Sequence, residues 1–132
     1  MATIPDKFHD LLHVKKTFAH LATVMKDGSP QVTPVWFDET GGKIRINTAR
    51  GRVKDRNLKP GVRVAMSILD PDDPYRYVQI RGTVVSETET GAAAHIDSLA
   101  KKYLGRDIYP FHDPAHARVI YEIEPTSFQS NR

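Results

Sequence analysis

Short segments of alternating apolar and polar residues, separated by tight turns, constrain the fold of this chain most. Residues Val62 to Leu69 alternate in this way, and Asp27-Gly28 is a strong hairpin signal between two further apolar segments. Strands joined by such short turns pair antiparallel. The sequence predicts six strands, at residues 18–26, 30–38, 43–48, 62–69, 76–86 and 118–123. Six antiparallel strands can close into a small β-barrel, so we expect a mainly β fold with short helices.

Helices are predicted at three places. Residues 5–14 fit a short helix with Asp6 as its N-cap, and the basic segment before Pro60 fits a second one. The third begins at Ser86-Glu-Thr-Glu89, which has the form of a capping box, and ends at Gly105. A chain of 132 residues without repeats or linkers is expected to form a single domain over residues 1–132.

Two residues inside the predicted strands indicate irregular pairing. Pro34 cannot donate a backbone hydrogen bond, so its strand is expected at a sheet edge or at a bulge. Gly82 lies inside the fifth predicted strand, where a glycine indicates a bulge or the close approach of another backbone segment. We therefore expect the sheet to depart from regular pairing at both residues.

Composition excludes several classes of protein. The chain has no cysteine, which excludes disulfides, thiolate metal sites and cysteine nucleophiles. No apolar run approaches the length of about 18 residues that spans a bilayer, and no secretion signal is evident, so we expect a cytoplasmic protein without a membrane span. His9 and His13 are spaced to share one helix face, but no acidic third ligand accompanies them and we expect no metal site.

A basic segment, residues 47–58, is the strongest functional signal in the sequence. Residues 43–63 hold eight basic residues and one acidic residue, although the net charge of the whole chain is only +3. Arg50, Arg52, Lys54 and Arg56 lie close together between a predicted strand and a predicted helix. Arginine forks, a lysine charge and the free N–H groups of a helix start all bind phosphate. We interpret the segment as an anion site for a phosphorylated cofactor.

Two other interpretations of the basic segment stay open. Short basic runs are often solvated surface, and a cluster of arginine and lysine can also contact the phosphates of a nucleic acid. The sequence contains neither the dinucleotide-binding nor the Walker glycine motif. A local concentration of positive charge on an otherwise acidic chain favours a specific anionic ligand, and we expect no nucleic-acid partner.

Four segments together resemble the pyridoxamine 5′-phosphate oxidase-like split-barrel flavoproteins. They are residues 21–23 before the Asp27-Gly28 turn, and the segments 31–37, 48–58 and 77–83. Their order and spacing are most similar to the branch of this family that uses the deazaflavin coenzyme F420. The resemblance implies a split β-barrel of the FMN-binding type. It also implies a homodimer with two cofactor sites at the interface, each built from both subunits.

The same resemblance implies which residues bind the cofactor. They are Gln31, Thr33, Pro34, Thr48, Arg52, Val53, Lys54, Asn57 and Gln79. Among them, Arg52 and Lys54 would hold the phosphate, and Gln79 would come from the partner subunit. The residues of the 31–34 segment would line the ring of the cofactor.

The chemistry that the resemblance implies is hydride transfer from the reduced deazaflavin, F420H2, to an activated conjugated C=C, C=O or C=N group of a small molecule. FMN is an alternative cofactor, because it also carries a ring, a ribityl chain and a phosphate; the acidic tail of F420 suits the positive field better. A non-catalytic split barrel that carries a cofactor or binds haem is a further alternative. No catalytic residue is assigned, although Tyr75, Tyr109 and His112 have the chemistry of a proton donor.

Overall fold

A computed structural model describes residues 2–131 and contains a seven-stranded antiparallel sheet. The strands are β1 (Ala19–Val24), β2 (Pro30–Val35), β3 (Asp38–Thr40), β4 (Lys43–Ala49), β5 (Arg63–Asp70), β6 (Asp73–Thr88) and β7 (Arg118–Ser130). The helices are α1 (His9–His13), α2 (Val53–Asn57) and α3 (Ala92–Leu104), and a 3₁₀ turn at Asp6–Phe8 precedes α1. The predicted mainly β, split-barrel fold is confirmed.

The strands follow the order β2-β1-β5-β6-β7-β4-β3, so β2 and β3 are the two edges of the sheet. Hairpins join β1 to β2, β3 to β4 and β5 to β6. The connection from β6 to β7 contains α3 and an irregular segment, residues 105–117. The edge strands β2 and β3 do not pair with each other, so hydrogen bonds do not close the barrel. Within residues 2–131, each helix is too short or too polar to cross a bilayer.

The sheet has one strand more than the six predicted. The predicted strand 30–38 divides into β2 and β3, because Trp36 and Phe37 leave the sheet and pack against Tyr103 of α3. The Trp36 and Tyr103 rings are stacked with centroids 5.1 Å apart, and Phe37 is fully buried. Aromatic burial therefore replaces strand pairing at this point, which alternation along the sequence alone did not indicate.

Strands β6 and β7 are both longer than predicted. The acidic segment after β5 forms a tight turn that pairs Asp70 with Asp73, so β6 begins there and not at residue 76. β7 continues through Pro125 because this residue, which has no N–H to donate, lies opposite Gly82 at a register shift. The two strands pair from Val78–Ser130 to Thr88–Ile120. They form the longest ladder in the described part of the chain.

Two predicted helix starts are wrong. Ser86-Glu-Thr-Glu89 is not a capping box, because these residues belong mostly to β6 and the Ser86 hydroxyl donates to a Glu122 carboxylate oxygen at 2.7 Å. Helix α3 instead begins after Gly91, whose φ of 77° suits a residue without a Cβ. At the N-terminus, Asp6 starts a 3₁₀ turn after Pro5 and caps nothing with its side chain.

The sheet shows how the strands pair at Pro34 and at Gly82, the two residues where irregular pairing was predicted. Pro34 lies in the edge strand β2, as predicted, and its pairing with β1 is continuous, so the sheet needs no bulge there. Gly82 combines the two expectations for an interior glycine. The register of β6 against β7 shifts beside it, and a Cβ built there would lie 2.6 Å from the Glu124 carbonyl oxygen. Only glycine allows this approach without a shift of the backbone.

One large apolar cluster fills the inner side of the sheet. Alternate residues of the central strands point into it, including Leu21, Met66, Ile80 and Ile123, all nearly inaccessible to solvent. Phe8, Leu11 and Leu12 from the N-terminal turn and α1 cover one end of the cluster. This apolar burial is the main stabilising contribution to the fold.

A smaller cluster attaches α3 to the break in the chain between β2 and β3. Ile96, Leu99 and Tyr103 of α3 pack with the half-buried rings of Trp36 and Tyr109. The Tyr103 hydroxyl donates to the Thr17 carbonyl oxygen at 2.6 Å. Burial raises the pKa of Tyr103 to about 12, so the hydroxyl keeps its proton at neutral pH. The helix is thereby fixed beside the open edge of the sheet.

Replacement of Gly82 by alanine should destabilise the protein. The new Cβ would overlap the Glu124 backbone, so we expect the free energy of unfolding to fall by about 1–3 kcal/mol. Denaturant unfolding of Gly82→Ala measures this change. Val85→Ala, at an exposed position of the same strand, is the control and should cost less than about 1 kcal/mol. Equal stabilities of Gly82→Ala and the unmodified protein would contradict the close approach.

Candidate functional site

A cleft of about 240 Å³ opens where β2, β4, α2, α3 and the segment 105–117 meet. Part of its lining is apolar and aromatic, and the rest is polar and basic. The lining residues are Val35, Trp36, Asn47, Thr48, Arg52, Lys54, Ile96, Tyr109, Phe111 and Arg118. A cleft that combines aromatic side chains with cations fits a flat ring that carries an anionic group.

The aromatic part of the cleft comes from the irregular segment and from the break between β2 and β3. Tyr109 makes edge contacts with Trp36 and Phe111, with ring centroids 6.0 Å and 5.6 Å apart. Asp97 of α3 anchors the segment, because its Oδ1 accepts from the Tyr109 backbone N–H at 2.8 Å and lies 3.0 Å from His112 Nε2. The segment therefore lies against α3 even though it has no regular secondary structure.

Two cations in or directly after the basic segment, Arg50 and Lys59, are neutralised by carboxylates. The Arg50 guanidinium donates to Asp55, Glu87 and Glu89 at 2.8–3.0 Å, and these contacts raise its pKa. Lys59 lies 3.3 Å from the same Glu87 oxygen that Arg50 contacts. These two cations stabilise the structure around the segment and have no charge left for a ligand.

Arg52 and Lys54 differ from those cations. Among residues 2–131, no carboxylate lies within ion-pair distance of either side chain. Lys54 Nζ donates to the Thr33 hydroxyl at 3.1 Å, which directs the ammonium toward β2. Burial, followed by the nearby charge of Arg52, lowers the pKa of Lys54. Two adjacent cations without acidic partners, both lining the cleft, have the chemistry to bind an anion.

The carboxylate of Asp55 fixes the loop between β4 and α2. It accepts from the Gly51 backbone N–H at 2.9 Å, from Arg50 at 3.0 Å and from the Tyr121 hydroxyl at 2.5 Å. Although burial opposes ionisation, these donors lower the pKa of Asp55 to about 2. These contacts tie the loop to Tyr121 of β7 and fix its backbone. Arg52 and Lys54 extend from this fixed backbone.

Helix α2 begins directly after Arg52, where the sequence predicts a helix start. It contains five residues, so its macrodipole is small and the charges of Arg52 and Lys54 dominate the field.

The structure brings six of the nine predicted cofactor-binding residues together. Thr48, Arg52 and Lys54 line the cleft, and Thr33 contacts Lys54. A shallow groove of about 420 Å³ continues from the cleft along α2. It is lined by Gln31, Gly51, Arg52, Val53, Lys54 and Arg56.

The other three predicted residues lie elsewhere in the chain. The Asn57 amide points inward and donates to the Thr23 hydroxyl at 3.1 Å, so it supports α2 from the core side. Pro34 and Gln79 lie on the outward face of the sheet, opposite to the face from which Thr33 reaches Lys54. A position on the outward face is where a residue for a partner subunit would lie, and the role of Gln79 stays a prediction.

The proton-donor candidates are separated by the fold. Tyr109 lines the cleft, whereas His112 is exposed and held by Asp97. Tyr75 is 71% exposed, in the strand after the β5–β6 turn, and does not line the cleft. His9 and His13 stack on each other with ring centroids 4.7 Å apart, and His13 lies 3.0 Å from Glu39. In the described part of the chain, no three metal-binding side chains form a cluster.

Sequence reasoning missed several lining residues of the cleft. Asn47, Ile96 and Arg118 come from three separate elements, and only the fold brings them together. The aromatic residues at 109 and 111 give a partial signal, since an irregular segment rich in aromatic residues favours a ligand site. Arg118 gives no signal in the sequence beyond its position at the start of a strand.

The fold is that of a split-barrel protein. A family model described as pyridoxamine 5′-phosphate oxidase matches residues 4–132. The chain therefore belongs to this family, as its resemblance in sequence predicted.

Solved structures of other proteins are similar to the chain. An F420 reductase is 37% identical, with a TM-score of 0.79, and the match covers 96% of this chain and 98% of that chain. General Stress Protein 26 from Bacillus anthracis is 20% identical, with a TM-score of 0.64 and coverage of 95% and 91%. An FAD and heme binding protein from Mycobacterium smegmatis is 20% identical, with a TM-score of 0.66 and coverage of 98% and 70%. The last two similarities show the fold alone. A search of curated proteins found no match.

Acid should remove the stabilisation that Asp55 provides. Its folded pKa of about 2 lies below the ordinary value of 3.8, so the contribution is complete above pH 4 and is lost as pH falls toward 2. We expect Asp55→Asn to lower the free energy of unfolding by about 2 kcal/mol at pH 6 and by much less at pH 2.5. Denaturant unfolding across this range measures the difference.

The matched control is Asp107→Asn, at an exposed carboxylate that pairs with the exposed Lys101. It should change stability little at either pH. A stability difference between Asp55→Asn and the unmodified protein that stays constant from pH 6 to pH 2.5 would contradict the assignment.

Proposed function

We propose that the protein is an F420H2-dependent oxidoreductase that reduces an activated conjugated C=C, C=O or C=N group of a small molecule. The observation that carries this proposal is that the cations in and directly after the basic segment divide into those paired with carboxylates and those that line the cleft unpaired. Arg50 and Lys59 are paired with acids, whereas Arg52 and Lys54 line the cleft without acidic partners. The similarity to an F420 reductase over nearly the whole chain supports the general class of oxidoreductase and favours the deazaflavin.

The residues of the cleft fit a ring–ribityl–phosphate cofactor. Lys54, fixed by Thr33, and the flexible fork of Arg52 supply charge and donors for a phosphate. Trp36, Tyr109 and Phe111 supply flat apolar surface for a ring in the same cleft. The bound cofactor would supply the hydride; the chain would orient it and exclude water from the ring.

We also propose that the protein forms a homodimer through the outward face of the sheet. Small and apolar residues from β1, β2 and β5 adjoin there, including Ala22, Val32 and Ala65. Val32 is 64% exposed, which is unusual for a valine within a sheet. Gln79 borders the same surface, and in a dimer it would be available to the partner's cofactor site. Exposed apolar residues bordered by polar ones, here His20, Ser67 and Gln79, are typical of a protein interface.

Titration with F420 and with FMN tests the cofactor assignment. We expect F420 to bind more tightly than FMN, and Lys54→Met to weaken F420 binding by about 10- to 100-fold through loss of a charged hydrogen bond. Ligand fluorescence measures both. Lys16→Met is the charge-matched control, because Lys16 is exposed and lies outside the cleft lining. It should leave the affinity unchanged.

Other outcomes of the titration have distinct meanings. Preference for FMN, with the same loss in Lys54→Met, would keep the site and assign it to a flavin. Absence of binding by either ligand would overturn the cofactor proposal.

The proposed dimer makes a separate prediction. A charge at the centre of the outward face would be buried without a partner on association, so Val32→Asp should shift the protein toward monomer. Sedimentation velocity measures the mass, and the same variant should bind cofactor more weakly because each site would lose the partner's residues. Val14→Asp, at a residue that is 70% exposed away from that face, is the control. A monomeric unmodified protein would refute the dimer.

A further inference from the structure

We propose that Arg118 binds an oxyanion group of the ligand in the cleft, and that a hydrogen-bonded series through Asn47, His95 and Asp38 holds it in position. This inference rests on the proposed function, in that the ligand is the cofactor or the substrate of that site. It adds a third cation to Arg52 and Lys54. It also assigns a role to a buried polar cluster that the cofactor proposal leaves unexplained.

Arg118 is a half-buried cation without an acid. It is the first residue of β7 and lines the cleft, and its backbone pairs with Ala49, the last residue of β4 before the loop to α2. In residues 2–131, no carboxylate lies within ion-pair distance of its guanidinium. Burial, and to a lesser extent the charge of Arg52, lowers the pKa of Arg118. A desolvated guanidinium is costly unless an anion accompanies it, so the position suits a ligand that brings one.

Arg118 also borders a second cavity of about 330 Å³ that adjoins the cleft. Arg50 and Arg52 line this cavity too, but Arg50 is neutralised by its three carboxylates. Asp113 is the acid in this lining, and its carboxylate lies 3.8 Å from His116 Nε2. Arg52 and Arg118 are therefore the arginines of this lining that, within residues 2–131, have no carboxylate at ion-pair distance, and both also line the cleft. Two forks that line one cleft can hold an oxyanion from two sides.

Asn47 fixes the orientation of Arg118. Its side-chain nitrogen donates to the Ala92 carbonyl oxygen at 2.9 Å and to His95 Nδ1 at 3.0 Å, which uses both amide hydrogens. The amide oxygen must then face Arg118, and it accepts from Arg118 Nε at 2.8 Å. Because Nε is occupied in this way, the terminal nitrogens of the guanidinium carry the donors that remain for an oxyanion.

The hydrogen bonds of His95 fix which end of the Asn47 amide faces the imidazole ring. It is buried in α3, and because Nδ1 accepts from Asn47, Nε2 carries the proton that is donated to Asp38 at 3.1 Å. Asp38 is held in turn by two parallel hydrogen bonds from Arg45, at 2.8 Å and 2.7 Å. Asp38 and His95 do not line the cleft, so they are positioning residues. All donors and acceptors in the series are satisfied when Asn47 points its oxygen at Arg118.

The anion can come from either of two sources. A phosphate on the cofactor and a carboxylate on an aromatic substrate share the chemistry of a planar or tetrahedral oxyanion beside an apolar ring. The aromatic lining of Tyr109, whose ring centroid is 5.3 Å from the Arg118 guanidinium carbon, suits both.

Paired ligands separate these sources. FMN against riboflavin, and F420 against the deazaflavin riboside, differ in the phosphate. Benzoate against benzamide, titrated onto the cofactor-loaded protein, differ in the carboxylate. Inorganic phosphate and benzoate are also titrated onto the unliganded protein by thermal shift.

Three variants and one control are compared. Arg118→Met removes the fork, and Arg118→Lys keeps the charge without the fork. Asn47→Asp places a carboxylate against Arg118 Nε and neutralises the cation without removing it, and it also removes the amide donors to Ala92 and His95. Arg106→Met is the charge-matched control, because Arg106 is exposed and lies outside the cleft lining. Thermal unfolding of each variant without ligand identifies any loss of fold.

For a cofactor anion, we expect Arg118→Met to lower the affinity for FMN or F420 by about 10- to 100-fold and to leave the phosphate-free ligands unchanged. For a substrate anion, the cofactor affinities stay constant and benzoate binding falls by a similar factor while benzamide binding does not. In both cases Asn47→Asp should match Arg118→Met, and Arg118→Lys should fall between Arg118→Met and the unmodified protein. That order distinguishes loss of an oxyanion contact from a general structural effect.

Equal binding of every anionic ligand by Arg118→Met and the unmodified protein would overturn the inference. If the unmodified protein binds neither cofactor, the proposed function fails separately. The thermal shift by inorganic phosphate and benzoate then decides the inference. Protection that depends on Arg118 would support it, and protection equal in Arg118→Met, or none, would refute it.

Discussion

The cleft depends on the hydrogen bonds and the ion pair that the ionised carboxylate of Asp55 makes. This carboxylate accepts hydrogen bonds from the Gly51 backbone in the loop between β4 and α2, from the side chain of Arg50 and from the hydroxyl of Tyr121 on β7. Strand β7 is an inner strand of the sheet and pairs with β6 along the longest ladder of the described residues, so the loop is attached to the most extensively paired part of the fold. Glycine at position 51, with φ of 89°, allows the chain to turn toward this carboxylate. Loss of the anchor would release the cations that face the cleft.

Charge in this chain has two separate uses. The carboxylates around the loop between β4 and α2 pair with Arg50 and Lys59, the cations that stabilise this loop. The cations that line the cleft lack such partners, and their proximity to each other is unfavourable in the free protein. The folded protein therefore holds these cations close together despite their repulsion, and a bound anion would reduce that repulsion. A site of this kind gains affinity because its charges are positioned before the ligand arrives.

The sequence predicts those features of the fold that depend on local chemistry. Pro34 correctly indicates an edge strand, Gly82 correctly indicates a close backbone approach, and the hairpins follow from turn residues. The errors arise where tertiary contacts override local preference. Ser86 belongs to a strand because β7 lies beside it, and the break at Trp36 depends on a ring of α3 that is distant in sequence. Pattern alone contains no information about either neighbour.

The same distinction holds for the candidate site. The segment that contains Arg52 and Lys54 can be recognised in the sequence because its cations lie at every second position. The structure adds which of these cations are paired with carboxylates. Arg118 is not visible, because its lack of an acidic partner is a property of the folded surroundings. Asn57 has the residue type of a ligand contact but turns toward the core. Side-chain direction within a short helix cannot be read from a motif.

Trp36, the sole tryptophan of the chain, has a spectroscopic consequence. Its indole lines the cleft and is stacked on Tyr103 at a ring distance of 5.1 Å. Indole emission overlaps the absorption of flavin and deazaflavin rings, so a ring bound in the cleft would quench it by energy transfer. All tryptophan emission comes from this one position, and the signal has no background from elsewhere in the protein. The break between β2 and β3 thus gives the protein a built-in optical reporter of ligand occupancy.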